Sequence, residues 1–205
     1  LINRCLHYLY DKGEYFPDNE LSFAPSLCNR IDRNTSGIVI VAKNAEALRI
    51  MNEKIKNREV KKYYLCVVSG IVNPPKATLT HFLQRNENDS TVRIYDKPSS
   101  DTKTIVTSYQ VLKTSRKNSL LEVELKTGRT HQIRAHMAYI HHPIIGDGKY
   151  GLNRVNKEYN EKHQLLCSYK LRFEFDDCYH QLGYLDSQEF EVNDVWFAKE
   201  FEEKF

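Results

Sequence analysis

The stretch SLLEVELKTGRTHQIRAHMAYI, residues 119–140, changes its period in the middle. Ser119 to Lys126 reads as a strand that runs into Thr127-Gly128. Beyond that break Ile133, Met137 and Ile140 recur at the i, i+4, i+7 spacing of a helix, which Pro143 ends. The same alternation of element types extends outward. Thr104 to Leu112 reads as the preceding strand, and Thr78 to Gln84 and Thr91 to Tyr95 as short strands among the turns of 73–100, marked by Pro74-Pro75 and Asn86-Glu87-Asn88-Asp89. Ile38 to Ala42 reads as a buried strand, followed by a helix capped by Asn44 with Ala47, Leu48, Met51 and Ile55 on one face. Val60 to Ser69 is a further strand, stopped by Gly70. Leu165-Leu166 and Leu171-x-Phe173-x-Phe175 mark another, ahead of an acidic C-terminal segment expected to close in a helix. The class is α+β, around a mixed, largely antiparallel sheet flanked by helices and loops.

With 205 residues, 30 Lys+Arg, 27 Asp+Glu and 40 % apolar content, one globular domain over residues 1–205 is expected, because chains of this length bury roughly 70 % of their unfolded surface. Any internal division is expected between two halves meeting near residue 100. No stretch approaches the roughly 18 consecutive apolar residues of a membrane span. The chain opens on Leu1 with no initiator Met and no leader, so part of the natural N-terminus is expected to be missing. Five cysteines without a C-x-x-C pair fit free thiols in a reducing compartment, hence a cytoplasmic location. His163 and Cys167 at i, i+4 with His141-His142 lack a second close ligand pair, so no metal site is expected.

The net charge of +3 is unevenly spread: Asp176 to Phe205 holds nine acids and two lysines, which leaves +10 on residues 1–175. Lys126 to Arg154 holds five Lys/Arg and four His against a single acid, Asp147, the pattern of a polyanion-binding surface or simply of a solvated face.

Three segments carry chemistry. In Asn29-Arg30-Ile31-Asp32-Arg33-Asn34-Thr35-Ser36-Gly37 one carboxylate stands between two guanidiniums, which favours a charged, nucleophilic Asp32; alternatively Asp32 caps a turn through Thr35 or Ser36. In Lys61-Lys62-Tyr63-Tyr64-Leu65-Cys66-Val67, period two puts Lys62, Tyr64 and Cys66 on one face, so one tyrosine faces a cleft unless both are core residues. In residues 127–136 Arg134 lies at the border of the apolar stripe. A half-buried guanidinium there calls for a carboxylate, and Asp32 is the expected partner, unless Arg134 reaches solvent over its own stem. The glycines from Gly146 to Gly151 match no P-loop or dinucleotide fingerprint and are expected to shape a turn.

Together, in this order, the segments resemble the RluA family of pseudouridine synthases, which carries H-R-L-D-x-x-T-S-G, K-x-Y-x-x-x-x-x-G and T-G-R-x-H-Q-I-R-x-H continuing to H-P-I-x-G-D-x-x-Y-G. The likeness runs from Cys28 to about Phe175. It implies a pseudouridine synthase fold with a central RNA-binding cleft, isomerisation of uridine to pseudouridine in RNA, most often ribosomal RNA with tRNA as the alternative, and no cofactor or obligate protein partner. Asp32, Tyr64 and Arg134 match the catalytic positions. Arg30 matches a wedge that enters the RNA helix, and Leu166 an apolar residue against the base; Arg33, Thr35, Arg129, His131 and Gln132 are the further expected substrate contacts. Asn29 and Cys167-Ser168 depart from the family's usual His and His-Ala. A catalytically inactive RNA-binding or ribosome-assembly factor of the same fold is the competing reading.

Overall fold

The computed structural model describes residues 1–18, 23–86 and 89–205. In chain order the elements are α1 (Ile2–Asp11), β1 (Ser26–Leu27), β2 (Ser36–Gly37), β3 (Val41–Ala42), α2 (Ala45–Lys56), β4 (Val60–Ser69), β5 (Lys76–Arg85) and β6 (Val92–Tyr95). There follow β7 (Lys103–Thr114), β8 (Asn118–Leu125), α3 (Gln132–Tyr139), α4 (Asn153–Glu158), β9 (Leu166–Phe173), β10 (Glu189–Glu191), α5 (Trp196–Lys199) and α6 (Phe201–Lys204). They fall into two compact units. The first comprises Leu1–Ile31, Ile38–Val60 and Arg172–Glu189; the second Asp32–Gly37, Lys61–Leu171 and Phe190–Phe205, and residue 100 lies inside the long middle stretch of the second.

In the first unit, β1 and β3 form a two-stranded antiparallel pair with Ser26 opposite Ala42. The strand expected over Ile38–Ala42 is confined to Val41–Ala42, and Ile38–Ile40 are half-buried rather than buried. The reason is local: the Ile40 N–H is taken by the Asn29 side chain (2.7 Å) and its carbonyl by the Cys28 N–H (2.8 Å). Asn29 therefore pins its own loop. Helix α2 begins as the sequence indicates, with the Asn44 side chain accepting from the Ala47 N–H (2.8 Å) and Ala47, Ile50 and Met51 turned inward. Its buried face also carries Lys54, which the Glu59 carboxylate neutralises at 2.7 Å.

The second unit is built on an eight-stranded sheet in the order β10-β9-β4-β8-β7-β5-β6, with β2 added in parallel to β9. The β4–β8, β8–β7, β7–β5 and β5–β6 pairs are antiparallel. These strands fall within a few residues of their sequence-predicted limits. Glu87 and Asn88, in the expected turn before β6, lie outside the described residues. The period of two on β4 sorts its side chains into two cores. Tyr64, Cys66 and Val68 pack with Ile133 and Met137 of α3, with Ile144 and with Leu166. Leu65 and Val67 pack with Cys167, Tyr169, Phe197, Phe201 and Phe205. Helices α5 and α6 close the acidic segment as expected, whereas α1 and α4 have no counterpart in the sequence reading.

Helix α3 is anchored by polar bonds as well as by Ile133 and Met137. Gln132 donates to the Val106 carbonyl (3.1 Å) and Thr107 Oγ1 (3.0 Å) and accepts from Thr127 Oγ1 (2.9 Å) and the Arg129 N–H (3.1 Å). Thr107 Oγ1 also pairs with His136 Nδ1 (2.9 Å), and His136 Nε2 with His81 Nδ1 (2.8 Å). A chain of hydrogen bonds thus ties the helix to β5 and β7. No helix among the described residues is long and apolar enough to cross a membrane.

Candidate active site

The Asp32 loop is shaped by its backbone. The Thr35 N–H donates to the Asp32 carbonyl (3.0 Å) and Asn34 takes a left-handed φ of 65°. The turn is closed without the Asp32 side chain, so the capping alternative does not describe it. Gln164 holds the loop from the other side, donating to the Arg33 carbonyl (2.6 Å) and Thr35 Oγ1 (3.1 Å). The chain then enters β2, where Gly37 sits opposite Ser168 of β9. At Gly37 φ is +113° and a Cβ would lie 2.1 Å from the Ser168 carbonyl oxygen, so only glycine permits this approach.

Arg134 is more deeply buried than its position on the stripe suggests, and its principal partner is not Asp32. Nε donates to Asp147 Oδ2 at 2.7 Å and Nη2 to Asp147 Oδ1 at 2.8 Å, a bidentate pair in which Asp147 is fully buried. The remaining nitrogen, Nη1, reaches Asp32 Oδ2 at 3.4 Å. The expected Asp32–Arg134 contact is therefore present, but as the outer and looser arm of a three-residue bridge. Asp147 also accepts the Lys149 N–H (2.8 Å) and the Tyr150 N–H (3.1 Å) on Oδ1, so the glycine-bounded turn folds round its own carboxylate. Burial alone would raise the Asp147 carboxyl, but the Arg134 bonds and charge and the two amides outweigh it and hold the group below its ordinary value. Arg134 is likewise held charged against its own burial, first by Asp147 and then by Asp32.

Asp32 keeps an 18 % exposed side chain, against 6 % for Arg134. Tyr64 shares an apolar cluster with Leu166, both nearly buried. Burial pushes the Tyr64 phenol up, the adjacent Ser168 hydroxyl opposes that, and the Asp32 charge adds to it, which places all three groups in one neighbourhood. On the other side stands Tyr150, with the Arg134 guanidinium over its ring at 5.4 Å. Tyr150 Oη accepts the Val92 N–H (2.9 Å) and also pairs with His131 Nδ1 (2.9 Å). Burial, then the charges of Arg134 and Lys149 against those of Asp32 and Asp147, holds His131 below its ordinary value and so favours the neutral imidazole. Burial raises the Tyr150 phenol to about 12.

The other expected substrate contacts divide. Arg33 and Arg129 are exposed, and Thr35 is half-buried with its hydroxyl engaged by Gln164. Gln132 is a correction: it is 2 % exposed, and its amide spends both protons and both lone pairs inside the protein, so it serves the fold of α3 and not a ligand. Arg30 is exposed at the end of the first unit. Among the described residues no group of three or more His, Cys, Asp or Glu is placed to hold a metal ion, and His142 bonds the Ser69 carbonyl (2.9 Å).

A family model described as RNA pseudouridylate synthase matches residues 7–139. The chain belongs to that family. Among curated relatives it is 34 % identical over 174 residues to the ribosomal large subunit pseudouridine synthase D of Borreliella burgdorferi, covering 85 % of this chain and 52 % of that protein. It is 36 % identical over 154 residues to the synthase of the same name from Xylella fastidiosa, covering 74 % of this chain and 42 % of the relative. The chain thus spans about half the length of the curated relatives it matches. Among solved structures, human RNA pseudouridylate synthase domain containing 1 superposes with a TM-score of 0.71 at 26 % identity, over 86 % of this chain and 71 % of the other. The α+β pseudouridine synthase fold expected from the motifs is the fold observed.

Asp147, Tyr150 and Ser168, which the sequence reading quoted without giving them a role, and Gln164, which it did not name, also stand in this candidate site. A signal for Asp147 existed, since it is the single acid in the basic stretch 126–154 that also holds Arg134. Asp147 and Tyr150 both also lie in the H-P-I-x-G-D-x-x-Y-G segment, whereas Gln164 carries no local pattern and becomes visible only through what it bonds.

Proposed function

We propose that the chain is the catalytic domain of an RNA pseudouridine synthase that isomerises specific uridines without a cofactor, in ribosomal RNA, in the cytoplasm, with RNA as its partner. The reading rests on one observation: a carboxylate left free by its own turn stands beside a guanidinium fixed from behind by a second, buried carboxylate. The large-subunit names of the relatives favour ribosomal RNA over tRNA. The reaction breaks the N1–C1′ bond, turns the uracil and joins C5 to C1′ with no change in composition, so it requires a group that handles developing positive charge at C1′ and moves a proton. Asp32 fills that role, as nucleophile or as base, with one oxygen held by Arg134. Tyr64 and Leu166 take the base once it has left its stack, and Arg30 fills the space it leaves. Arg33 and Arg129 meet phosphates, Thr35 lines the loop, and His131 contacts the substrate. Pseudouridine mapping in total RNA from cells with and without the gene tests the proposal. Loss of one or more large-subunit sites, restored by the parent chain and not by Asp32→Asn, supports it; an unchanged map overturns it, and loss confined to tRNA moves the substrate.

A further inference from the structure

Ser168 is fully buried, and among the described residues its hydroxyl is one of two buried side-chain polar atoms with no hydrogen-bond partner. Such an atom is costly, and native folds leave one unpaired chiefly where something else completes it. Its position says what that is. On β9, Leu166 and Ser168 share a face by period two, and Leu166 packs with Tyr64. The backbone of Ser168 lies against Gly37 at the end of the Asp32 loop, and its hydroxyl is near enough to Tyr64 to bear on the phenol without forming a hydrogen bond of ordinary geometry. The hydroxyl thus lies among the residues assigned above to the base and to the reaction.

We propose that Ser168 is a substrate-contact residue whose hydroxyl hydrogen-bonds the polar edge of the extruded pyrimidine next to Tyr64. The inference rests on the reading of the site as a uridine-isomerising one. A hydroxyl both donates and accepts, so it pairs with a carbonyl oxygen or with the ring N–H, and it serves affinity for the flipped base more than choice among bases.

The test is Ser168→Ala, with Ser168→Cys as a control of similar size and weak hydrogen-bonding power, assayed on an unmodified large-subunit rRNA transcript together with thermal unfolding of the free protein. Both variants should melt within about 2 °C of the parent or above it. Both should lose about 3- to 10-fold in kcat/KM, the worth of one hydrogen bond. Parental kcat/KM in Ser168→Ala overturns the inference. So does a clear drop in melting temperature with unchanged kinetics, which would show that the hydroxyl has a partner inside the fold. A parent chain that forms no pseudouridine in this transcript or in a tRNA transcript refutes the proposed activity instead, and with it the inference.

Discussion

Replacing Asp147 with Asn separates the two tasks that carboxylates perform around Arg134. Asp147 accepts four hydrogen bonds, two from the guanidinium and two from the Lys149 and Tyr150 amides. In Asp147→Asn an amide N–H2 must face one of these donors, and the guanidinium, 6 % exposed, keeps its charge with only Asp32 at 3.4 Å to answer it. Breaking a buried pair from one side costs about 3–5 kcal/mol. With a urea m-value of about 2–3 kcal/mol/M, the midpoint should fall by about 1–2 M. Asp32→Asn removes one long contact from a partly exposed group and should cost under about 1 kcal/mol. Activity should rank the other way. On the role proposed for Asp32, Asp32→Asn should abolish pseudouridine formation, while Asp147→Asn should retain reduced turnover at temperatures where it stays folded, because Asp32 is still present. Urea unfolding and pseudouridine quantification on one rRNA transcript measure both orders. Equal stability costs for the two substitutions, or a parental midpoint for Asp147→Asn, would refute the assignment of Asp147 as the anchor.

Three further expectations concern other parts of the molecule. Burial, then the neighbouring His81, holds His136 down to about 4 against 6.5 in the unfolded chain. The unfolded state therefore binds more protons between these values, so the stability it contributes is complete above pH 6.5 and is lost as pH falls toward 4, by up to about 3 kcal/mol; urea midpoints at pH 7 and 4.5 should show this, and His136→Gln should flatten the slope. Gly37→Ala forces a Cβ to within 2.1 Å of the Ser168 carbonyl, so it should uncouple β2 from β9 and lower both the melting temperature and turnover, and a variant indistinguishable from the parent would deny the close approach. Arg33→Ala and Arg129→Ala should each reduce the salt slope of RNA binding by about 0.7–0.9 without altering the melting temperature, as read from affinities across a salt series.

Most strands of the second unit were legible because their signal is local: β4, β5, β7, β8 and β9 all appear where runs of apolar residues meet Gly, Pro or Asn. Ile38–Ala42 misled because a run of branched residues also suits an extended loop whose backbone is satisfied by Asn29. Helix α1 was missed although Ile2, Cys5, Leu6 and Leu9 recur at the i, i+3, i+4, i+7 spacing of an amphipathic helix, with Leu9 buried. At the site, Asp32, Tyr64 and Arg134 could be named because their motifs are contiguous. The ion-pair partner could not be ranked the same way, since Asp32 and Asp147 lie 102 and 13 positions from Arg134 and spacing carries no measure of which carboxylate a fork will grip. Gln132 shows the converse failure: a polar residue inside a functional motif reads as a ligand contact until its four bonds are traced.

The bridge at the centre of the site pairs two carboxylates with one guanidinium, and the adjacent imidazole is held neutral. Lys149 bears on the same imidazole, so the fixed charges of the neighbourhood are two of each sign. They are not equally reachable: Asp147 and Arg134 are sealed, and Asp32 is the member of the bridge that keeps contact with solvent. A visitor therefore meets a carboxylate before a guanidinium, and an electron-poor centre would be received better there than an anion.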